Sequence, residues 1–240
     1  MIVEVCANSL ESALNAEKAG ADRIELCMEL AVGGITPSYG LLKRVKEQIS
    51  IPVHVLIRPR SGDFTYSKIE FAIMKKNIAL CVELGFAGIV SGVLHENFTL
   101  DEKRTKELIE CAGDLKFTFH RAFDWVLHPF EALKKLDALK VDYILSSGQQ
   151  DNAPKGIDFL AELQKKATYC TVLAGGGIRP NNVLQFKEQG IMAVHLSGIH
   201  FLKKLEVPPL VSMNSPSFLQ DDAIAVTKIE TIEAVLQKVK

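Results

Sequence analysis

The sequence of 240 residues alternates short apolar runs with longer segments of amphipathic helical pattern. The runs are rich in Val, Ile, Leu and Phe, which is typical of parallel strands covered by helices. Eight such units predict a parallel sheet with right-handed crossovers, and we expect a single (β/α)8 TIM barrel over residues 1–240. The predicted strands are residues 2–6, 22–27, 53–57, 86–91, 116–120, 142–146, 170–174 and 192–197.

An open, doubly wound sheet is the alternative architecture for this pattern. Such a sheet usually carries a G-x-G-x-x-G turn directly after its first strand. The chain instead has Cys6-Ala7-Asn8-Ser9 at that position, which favours the closed barrel. Residues 203–226 form the one long stretch without a regular pattern, and we interpret them as a covering loop or an interface element.

The helical segments carry end signals and apolar faces. A Thr36-Pro37 pair predicts the start of the second helix, and Thr99 with Glu102 predicts a capping box for a helix over 100–112. A last amphipathic helix is predicted over 227–239. The segment 67–84 is predicted to bury one face, formed by Ile69, Ile73, Leu80 and Leu84.

Composition argues against several classes of function. Lys and Arg total 28 against 29 Asp and Glu, so no broad basic field is available for a nucleic-acid backbone. No apolar run reaches the length of about 18 residues that a membrane span requires, and no basic and apolar leader follows Met1. The 5 cysteines include no CxxC pair, which argues against a closed zinc site and indicates reduced thiols in the cytoplasm.

Side chains alternate between the two faces of a strand, so their parity predicts which residues point into the barrel. Apolar residues at alternate positions of the first three strands suit the helix layer. The opposite parity on these strands and on strand five sends polar side chains inward: Glu4, Cys6, Arg23, Glu25, Cys27, His54, Arg58 and His120. Arg121 and Asp124 directly follow strand five, whereas the parity of His195 on strand eight is ambiguous.

These inward charges have two interpretations. The structural one is a buried ion network that fixes the register of the strands. The functional one is a site at the barrel mouth, and we favour it because barrel interiors are usually filled by Val, Ile and Leu. Buried ion pairs are replaceable by apolar packing, and mutually coupled charges in a cleft are typical of functional sites.

Three groups of loop residues are candidates for holding an anion. Gly33-Gly34 follows strand two and allows close backbone approach, while Arg58-Pro59-Arg60 follows strand three and offers two guanidinium groups. Many (β/α)8 enzymes hold a phosphate between the loops after strands seven and eight. Ordinary turn geometry is the alternative for the glycine loops. The candidate substrate-binding residues are Gly34, Arg60, Gly175, Gly176, Gly177 and Ser197.

Two cysteines are placed where they can bind a soft metal. Cys6 and Cys27 lie at inward positions near the ends of adjacent strands, about 5 Å apart if the strands are in register. With Met28 they offer sulfur ligands of the kind that Cu(I) prefers. The alternative is that both are small buried thiols, which is the interpretation we give to Cys81, Cys111 and Cys170.

Long motifs stand at the predicted strand ends, among them Ala21-Asp22-Arg23-Ile24-Glu25-Leu26-Cys27, Arg58-Pro59-Arg60-Ser61-Gly62-Asp63-Phe64, Phe119-His120-Arg121-Ala122-Phe123-Asp124 and Ala174-Gly175-Gly176-Gly177-Ile178. These motifs resemble those of the CutC family, known as copper homeostasis proteins, over nearly the whole chain. The resemblance implies a cytoplasmic barrel, a homo-oligomer and copper handling through bound Cu(I). Cys27 lies within a family motif and Cys6 in a less specific stretch, and the region after Ser197 follows the family pattern loosely.

Two functions of different classes follow from these observations. The first is copper handling by Cys27, with Cys6 and Met28 as further ligands. The second is an enzyme, a lyase, isomerase or hydrolase, that acts on a small phosphorylated or carboxylated metabolite. Its acid–base and anion-binding groups would be Glu4, Glu25, Arg58, His120, Arg121 and Asp124. A scaffold for partner proteins has no support in the charge pattern or in repeats.

Overall fold

Eight parallel strands close into a barrel in the order in which they occur along the chain, each paired with the next and the last with the first. The structure is a computed structural model that describes residues 1–207, 209–212 and 223–240. The predicted (β/α)8 TIM barrel is confirmed. Its strands are β1 (Ile2–Ala7), β2 (Arg23–Leu26), β3 (Val53–Leu56), β4 (Gly88–Ser91), β5 (Lys116–Phe119), β6 (Tyr143–Ser146), β7 (Thr171–Gly175) and β8 (Ala193–Leu196).

Helices follow the barrel strands, and short 3₁₀ helices at Leu30–Val32 and Arg121–Trp125 lie in the loops after β2 and β5. Within the described ranges, none of the helices is long and apolar enough to cross a membrane. The α-helices are α1 (Leu10–Lys18), α2 (Tyr39–Gln48), α3 (Lys68–Glu83), α4 (Glu102–Ala112), α5 (Pro129–Ala138), α6 (Ile157–Lys166), α7 (Val183–Glu188) and α8 (Ile229–Val239).

The main apolar core lies between the barrel and its helices. Outward side chains such as Val5, Ile24 and Ile89 are fully buried there. Because helices cover the outer face of the barrel, the side chains that each strand directs to that face are apolar. The barrel interior is different, because small apolar clusters such as that of Leu145, Leu173 and Ala193 share it with charged side chains.

Two predicted helix starts are wrong because the expected capping residues form other hydrogen bonds. The Thr36 hydroxyl accepts from the backbone N–H of Arg58, so Ser38 caps α2 instead. The Thr99 hydroxyl pairs with Asn97, so Asp101 caps α4 by accepting from the backbone N–H of Arg104.

The buried face of α3 also differs from the predicted one. Ile69 and Ile73 are 76% and 47% exposed, so the prediction that they belong to the buried face is wrong. The helix instead buries Phe71, Met74, Ile78 and Cys81. These residues are spaced three or four apart, as one helix face requires, and the face is rotated from the expected one. The helix is apolar on more than one side, so its sequence pattern did not determine which face packs.

A β-hairpin lies between β8 and α8. Its strands β9 (Ile199–Lys203) and β10 (Ala223–Thr227) pair in antiparallel fashion, so the predicted irregular stretch 203–226 is wrong at both of its ends. Residues 208 and 213–222 of that stretch lie outside the described residues. The side-chain amides of Asn8, just before α1, and of Asn15, within α1, donate to backbone carbonyls of β10 and attach the hairpin to this part of the barrel.

Candidate functional site

Four charged side chains from three neighbouring strands meet inside the barrel. The register aligns Glu4 of β1 with Arg23 of β2 on one side and with His195 of β8 on the other. The Arg23 guanidinium donates to Glu4, and His195 Nδ1 lies 2.7 Å from the other Glu4 oxygen. His195 Nε2 lies 3.3 Å from a carboxylate oxygen of Glu25. The imidazole of His195 therefore bridges two carboxylates.

Electrostatics make His195 a cation. Burial on its own would lower the pKa of His195, but the Glu25 carboxylate and hydrogen bonds with Cys6 and Glu4 raise it well above its ordinary value. Burial would likewise raise the pKa of Glu4, yet the Arg23 guanidinium and His195 hold it well below its usual range. Burial raises the pKa of Glu25. The cluster thus combines an ionised carboxylate, an imidazolium and a second carboxyl group that holds its proton more tightly.

Two thiols lie beside this cluster. The Sγ atoms of Cys6 and Cys27 are 3.5 Å apart, and both side chains are buried with Leu56 and Val90. The hydrogen bond with Cys27, together with burial, raises the pKa of the Cys6 thiol well above its ordinary value. Cys6, Glu25 and His195 each offer one atom that could bind a metal, and these three atoms lie within 4.8 Å of one another. Met28 lines a separate pocket near α1 and does not join the thiols.

A cavity of about 860 Å³ opens above these groups at the carboxyl ends of the strands. Its floor includes Cys6, Glu25 and His195, and its walls are formed by the loops after several strands. The site residues predicted from the sequence that line the cavity are Cys6, Glu25, Arg58, His120, Arg121, Gly176, Gly177 and Ser197. This size is in the range of sites that hold small organic molecules.

Two buried side chains in the cavity wall have polar atoms without a partner among the described residues. His120 is 4% exposed; its Nδ1 accepts from the backbone N–H of Ala122, and its Nε2 has no partner. Burial, with the nearby Arg58 charge, lowers the pKa of His120 to about 3, so the ring is neutral. Arg58 is 5% exposed and donates to three backbone carbonyls, while its Nε has no partner.

Asp124 organises a turn and does not face the cavity. Its carboxylate accepts from the Ser146 hydroxyl, from the backbone N–H groups of Ser147 and Gln149, and from Arg121. The side chain is 7% exposed. This arrangement fixes the loop after β6 and holds one edge of the Arg121 guanidinium, which itself lines the cavity.

Other residues of the predicted site lie at its periphery. Arg60 turns away from the cavity and pairs with Glu70 and Asp63. The Gly34 carbonyl accepts a hydrogen bond from Arg58, and Gly175 packs against Leu145. Neither glycine lines the cavity. Glu4 is fully buried beneath His195.

Sequence reasoning missed His195 and Arg179, which both line the cavity. The parity of His195 was ambiguous because the sequence does not give the register between β8 and β1. The signal that could have assigned it was the position of the preceding Val194, which pairs in register with the outward-facing Val3. Arg179 lies beyond the glycine loop, outside any strand pattern.

Comparison with known proteins agrees with this architecture. The family model described as the CutC family matches residues 1–200. The family protein CutC of Salmonella typhimurium is 46% identical over 196 residues, which cover 82% of this chain and 79% of the relative. The corresponding protein of Edwardsiella ictaluri is 48% identical over 200 residues, covering 83% of this chain and 80% of the relative.

Solved structures give the same result. The structure of a Streptococcus agalactiae CutC, whose description connects it with copper homeostasis, matches with a TM-score of 0.78 and 32% identity. It covers 82% of this chain and 98% of the other. A thiamine phosphate pyrophosphorylase from Pyrococcus furiosus matches with a TM-score of 0.61 at 13% identity, over 99% of this chain and 95% of the other, and shares the fold. By the family model and by these relatives, the chain belongs to the CutC family.

Proposed function

We propose that this chain binds Cu(I) in the cytoplasm, at the floor of the mouth cavity, through the thiols of Cys6 and Cys27. The observation that carries the proposal is the 3.5 Å separation of the two Sγ atoms. Soft sulfur ligands select Cu(I) over the harder divalent metals. Family membership supports the same metal, since the Streptococcus agalactiae relative is described in connection with copper homeostasis.

His195 is the third group that suits the metal. Its imidazole and the Cys6 thiol belong to the same compact group of ligand atoms, which also includes Glu25. Imidazole is a good copper ligand, whereas a carboxylate prefers harder cations. In this role His195 would release the proton that it shares with Glu25, and Glu25 is placed 3.3 Å away to receive it.

Burial supports a role for the two thiols in retaining copper. Cys6 lines the cavity and is 6% exposed, whereas Cys27 behind it is fully buried. An ion entering through the mouth would therefore meet Cys6 first. Leu56 and Val90 pack around both sulfurs, and an apolar shell of this kind limits the access of water to a metal.

Localisation and assembly are part of the proposal. All 5 cysteines are free thiols, which the reducing cytoplasm maintains. Assembly into a homo-oligomer is expected from the family resemblance. Sedimentation velocity at several protein concentrations tests the assembly independently of copper.

The deciding experiment is an anaerobic Cu(I) titration against a competing chelator. We expect the wild type to bind one Cu(I) per chain, and both Cys6→Ser and Cys27→Ser to lose that binding. Cys111→Ser is the matched control, because Cys111 lies at the end of α4 and is only half-buried. Tight binding that survives in Cys27→Ser, or that is lost equally in Cys111→Ser, would sink the proposal.

A further inference from the structure

We propose that the mouth cavity is also a binding site for a small phosphomonoester. Its phosphate would lie at the loop after β7, and its other polar end would reach toward Arg58 and His120 on the opposite wall. This inference does not depend on copper, because it uses the walls of the cavity and not the thiols at its floor.

The first observation is a buried cation without an anion. Arg58 is 5% exposed and lines the cavity, and its guanidinium donates to the carbonyl groups of Val32, Gly34 and Gly62. Among the described residues, no carboxylate forms an ion pair with it, in contrast to Arg23 beside Glu4. Buried charges are usually paired, because an unpaired charge is costly to desolvate. An anionic ligand would bring negative charge into the cavity that Arg58 lines, and an oxygen at its other end would accept from the unpartnered Nε–H of Arg58.

The second observation is the unused ring nitrogen of His120. Because Nδ1 accepts a hydrogen bond from Ala122, the proton of the neutral ring sits on Nε2, which is a buried donor without a partner in the described chain. Buried donors normally have an acceptor. The His120 ring packs against Phe64, and both residues line the cavity. A carbonyl, hydroxyl or anionic oxygen of a ligand is the acceptor that this nitrogen lacks.

The phosphate end is defined by the loop after β7. Gly176 and Gly177 adopt φ values of +99° and +83°, which side-chain-bearing residues rarely adopt. Within the described ranges, the backbone N–H groups of Gly176, Gly177 and Ile178 donate to no protein acceptor. Successive free N–H groups in such a turn form a concave site for anions. All three residues line the cavity.

Arginines flank this loop. Nη1 of Arg121 lies 3.5 Å from the point that a Cβ on Gly176 would occupy, while Nε and Nη2 are held by Asp124 and Ser147. The guanidinium is therefore fixed in orientation with one edge beside the glycine loop. Arg179 lines the same end of the cavity and is exposed. A fixed guanidinium group beside free backbone N–H groups, with a second arginine at the same end, suits the recognition of a phosphate.

The charge of the cavity lining also favours an anionic ligand. Of the charged groups that line the cavity, Arg58 and Arg179 form no ion pair among the described residues, whereas Arg121 pairs with Asp124 and Asp63 pairs with Arg60. The chain as a whole has a formal net charge of -1, so this positive excess is local. A volume of about 860 Å³ also exceeds what a single metal ion occupies and suits a molecule of several carbon atoms.

Titration of the metal-free, full-length protein with three probes tests the proposal: glycerol 3-phosphate, inorganic phosphate and succinate. Calorimetry measures affinity, and amide NMR locates the site in the wild type. We expect glycerol 3-phosphate to bind most tightly and to shift the amide signals of Gly176, Gly177 and Ile178. Arg179→Gln should weaken this binding about tenfold, as expected for the loss of one charged hydrogen bond. Arg44→Gln, an equal loss of charge on the exposed face of α2, should leave it unchanged.

Several outcomes would overturn the proposal. These are no binding of either phosphate compound, succinate binding as tightly as glycerol 3-phosphate, or equal weakening by Arg179→Gln and Arg44→Gln. The same titration on Cys6→Ser separates this proposal from the copper proposal. Unchanged phosphate binding in that variant supports a site on the walls, whereas its loss would place the ligand on the thiols and contradict the site described here.

Discussion

His195 Nδ1 and Glu4 Oε1 lie 2.7 Å apart on the neighbouring strands β8 and β1, inside the barrel. The same imidazole approaches Glu25 through its other nitrogen. One cationic ring thus compensates two carboxyl groups in a region from which water is largely excluded. The stability of the barrel interior depends on this arrangement, because removing one partner of a buried ion pair leaves an uncompensated charge.

Replacing His195 with leucine is expected to lower the free energy of unfolding by about 3 kcal/mol, the usual cost of breaking a buried pair. Urea unfolding followed by circular dichroism measures it. His200→Leu on the exposed strand β9 is the control and should change the stability little. Equal stability of His195→Leu and the wild type would mean that the two carboxyl groups do not need the imidazolium.

Stability should fall with acid through His120. Folded His120 stays neutral down to a pKa of about 3, whereas an unfolded histidine takes up a proton near its ordinary pKa. The unfolded state therefore binds more protons below about pH 6.5, and the stability present above that pH is lost as the pH falls. The Asn side chain of His120→Asn can still accept from the Ala122 N–H but does not titrate. Between pH 7 and pH 5 the free energy of unfolding of this variant should therefore fall by about 2 kcal/mol less than that of the wild type. Urea unfolding at both pH values gives the comparison, and identical losses in the two proteins would contradict this assignment.

Asp124→Ala should destabilise the protein by about 2 to 4 kcal/mol, because the carboxylate satisfies several donors in the turn after β6. Thermal unfolding measures the loss. Asp151→Ala, at a side chain that is 83% exposed, is the matched control. Asp124 was predicted as an acid–base residue, and an Asp124→Ala variant of unchanged stability would favour that role over the structural one.

Arg58 and Arg60 are expected to differ in what their loss does to the chain. Arg60→Gln breaks partly exposed ion pairs with Glu70 and Asp63, which contribute little to stability. It also removes donors to backbone carbonyls within the loop after β3, so its effect should stay in that loop. Arg58→Gln removes donors that hold three carbonyls in the loops after β2 and β3. Hydrogen exchange of residues 32–34, in the loop after β2, should therefore increase in Arg58→Gln and remain unchanged in Arg60→Gln. Equal exchange of these residues in both variants would show that Arg58 does not organise the loop after β2.

The barrel and its polar interior were predictable because parallel strands have a simple physical pattern. An outer face that must be apolar fixes the parity of each strand, and polar residues at the other parity must then point inward. This reasoning placed Cys6 and Cys27 side by side, as the 3.5 Å contact of their sulfurs bears out. It required no knowledge of the loops.

The rest depended on contacts between residues that are distant in the chain. Thr36 is a good capping residue by type, but its hydroxyl is used by the backbone of Arg58. His195 could be assigned only from the register between β8 and β1, which the sequence does not state. Arg58 and Arg60 are equivalent by type in the Arg58-Pro59-Arg60 motif, yet Arg60 forms an ion pair with Glu70 of α3 and does not point into the mouth.

The charged layer of Glu4, Arg23, Glu25 and His195 has a consequence for how this barrel can change over evolutionary time. A single substitution in the layer leaves partners with unbalanced charge, whereas exchanging the whole set for apolar side chains of similar volume can be neutral or stabilising. Intermediate sequences would therefore be less stable than either end of such a series. The layer's positions on β1, β2 and β8 are far apart along the chain. We nevertheless expect their residues to be substituted together during evolution.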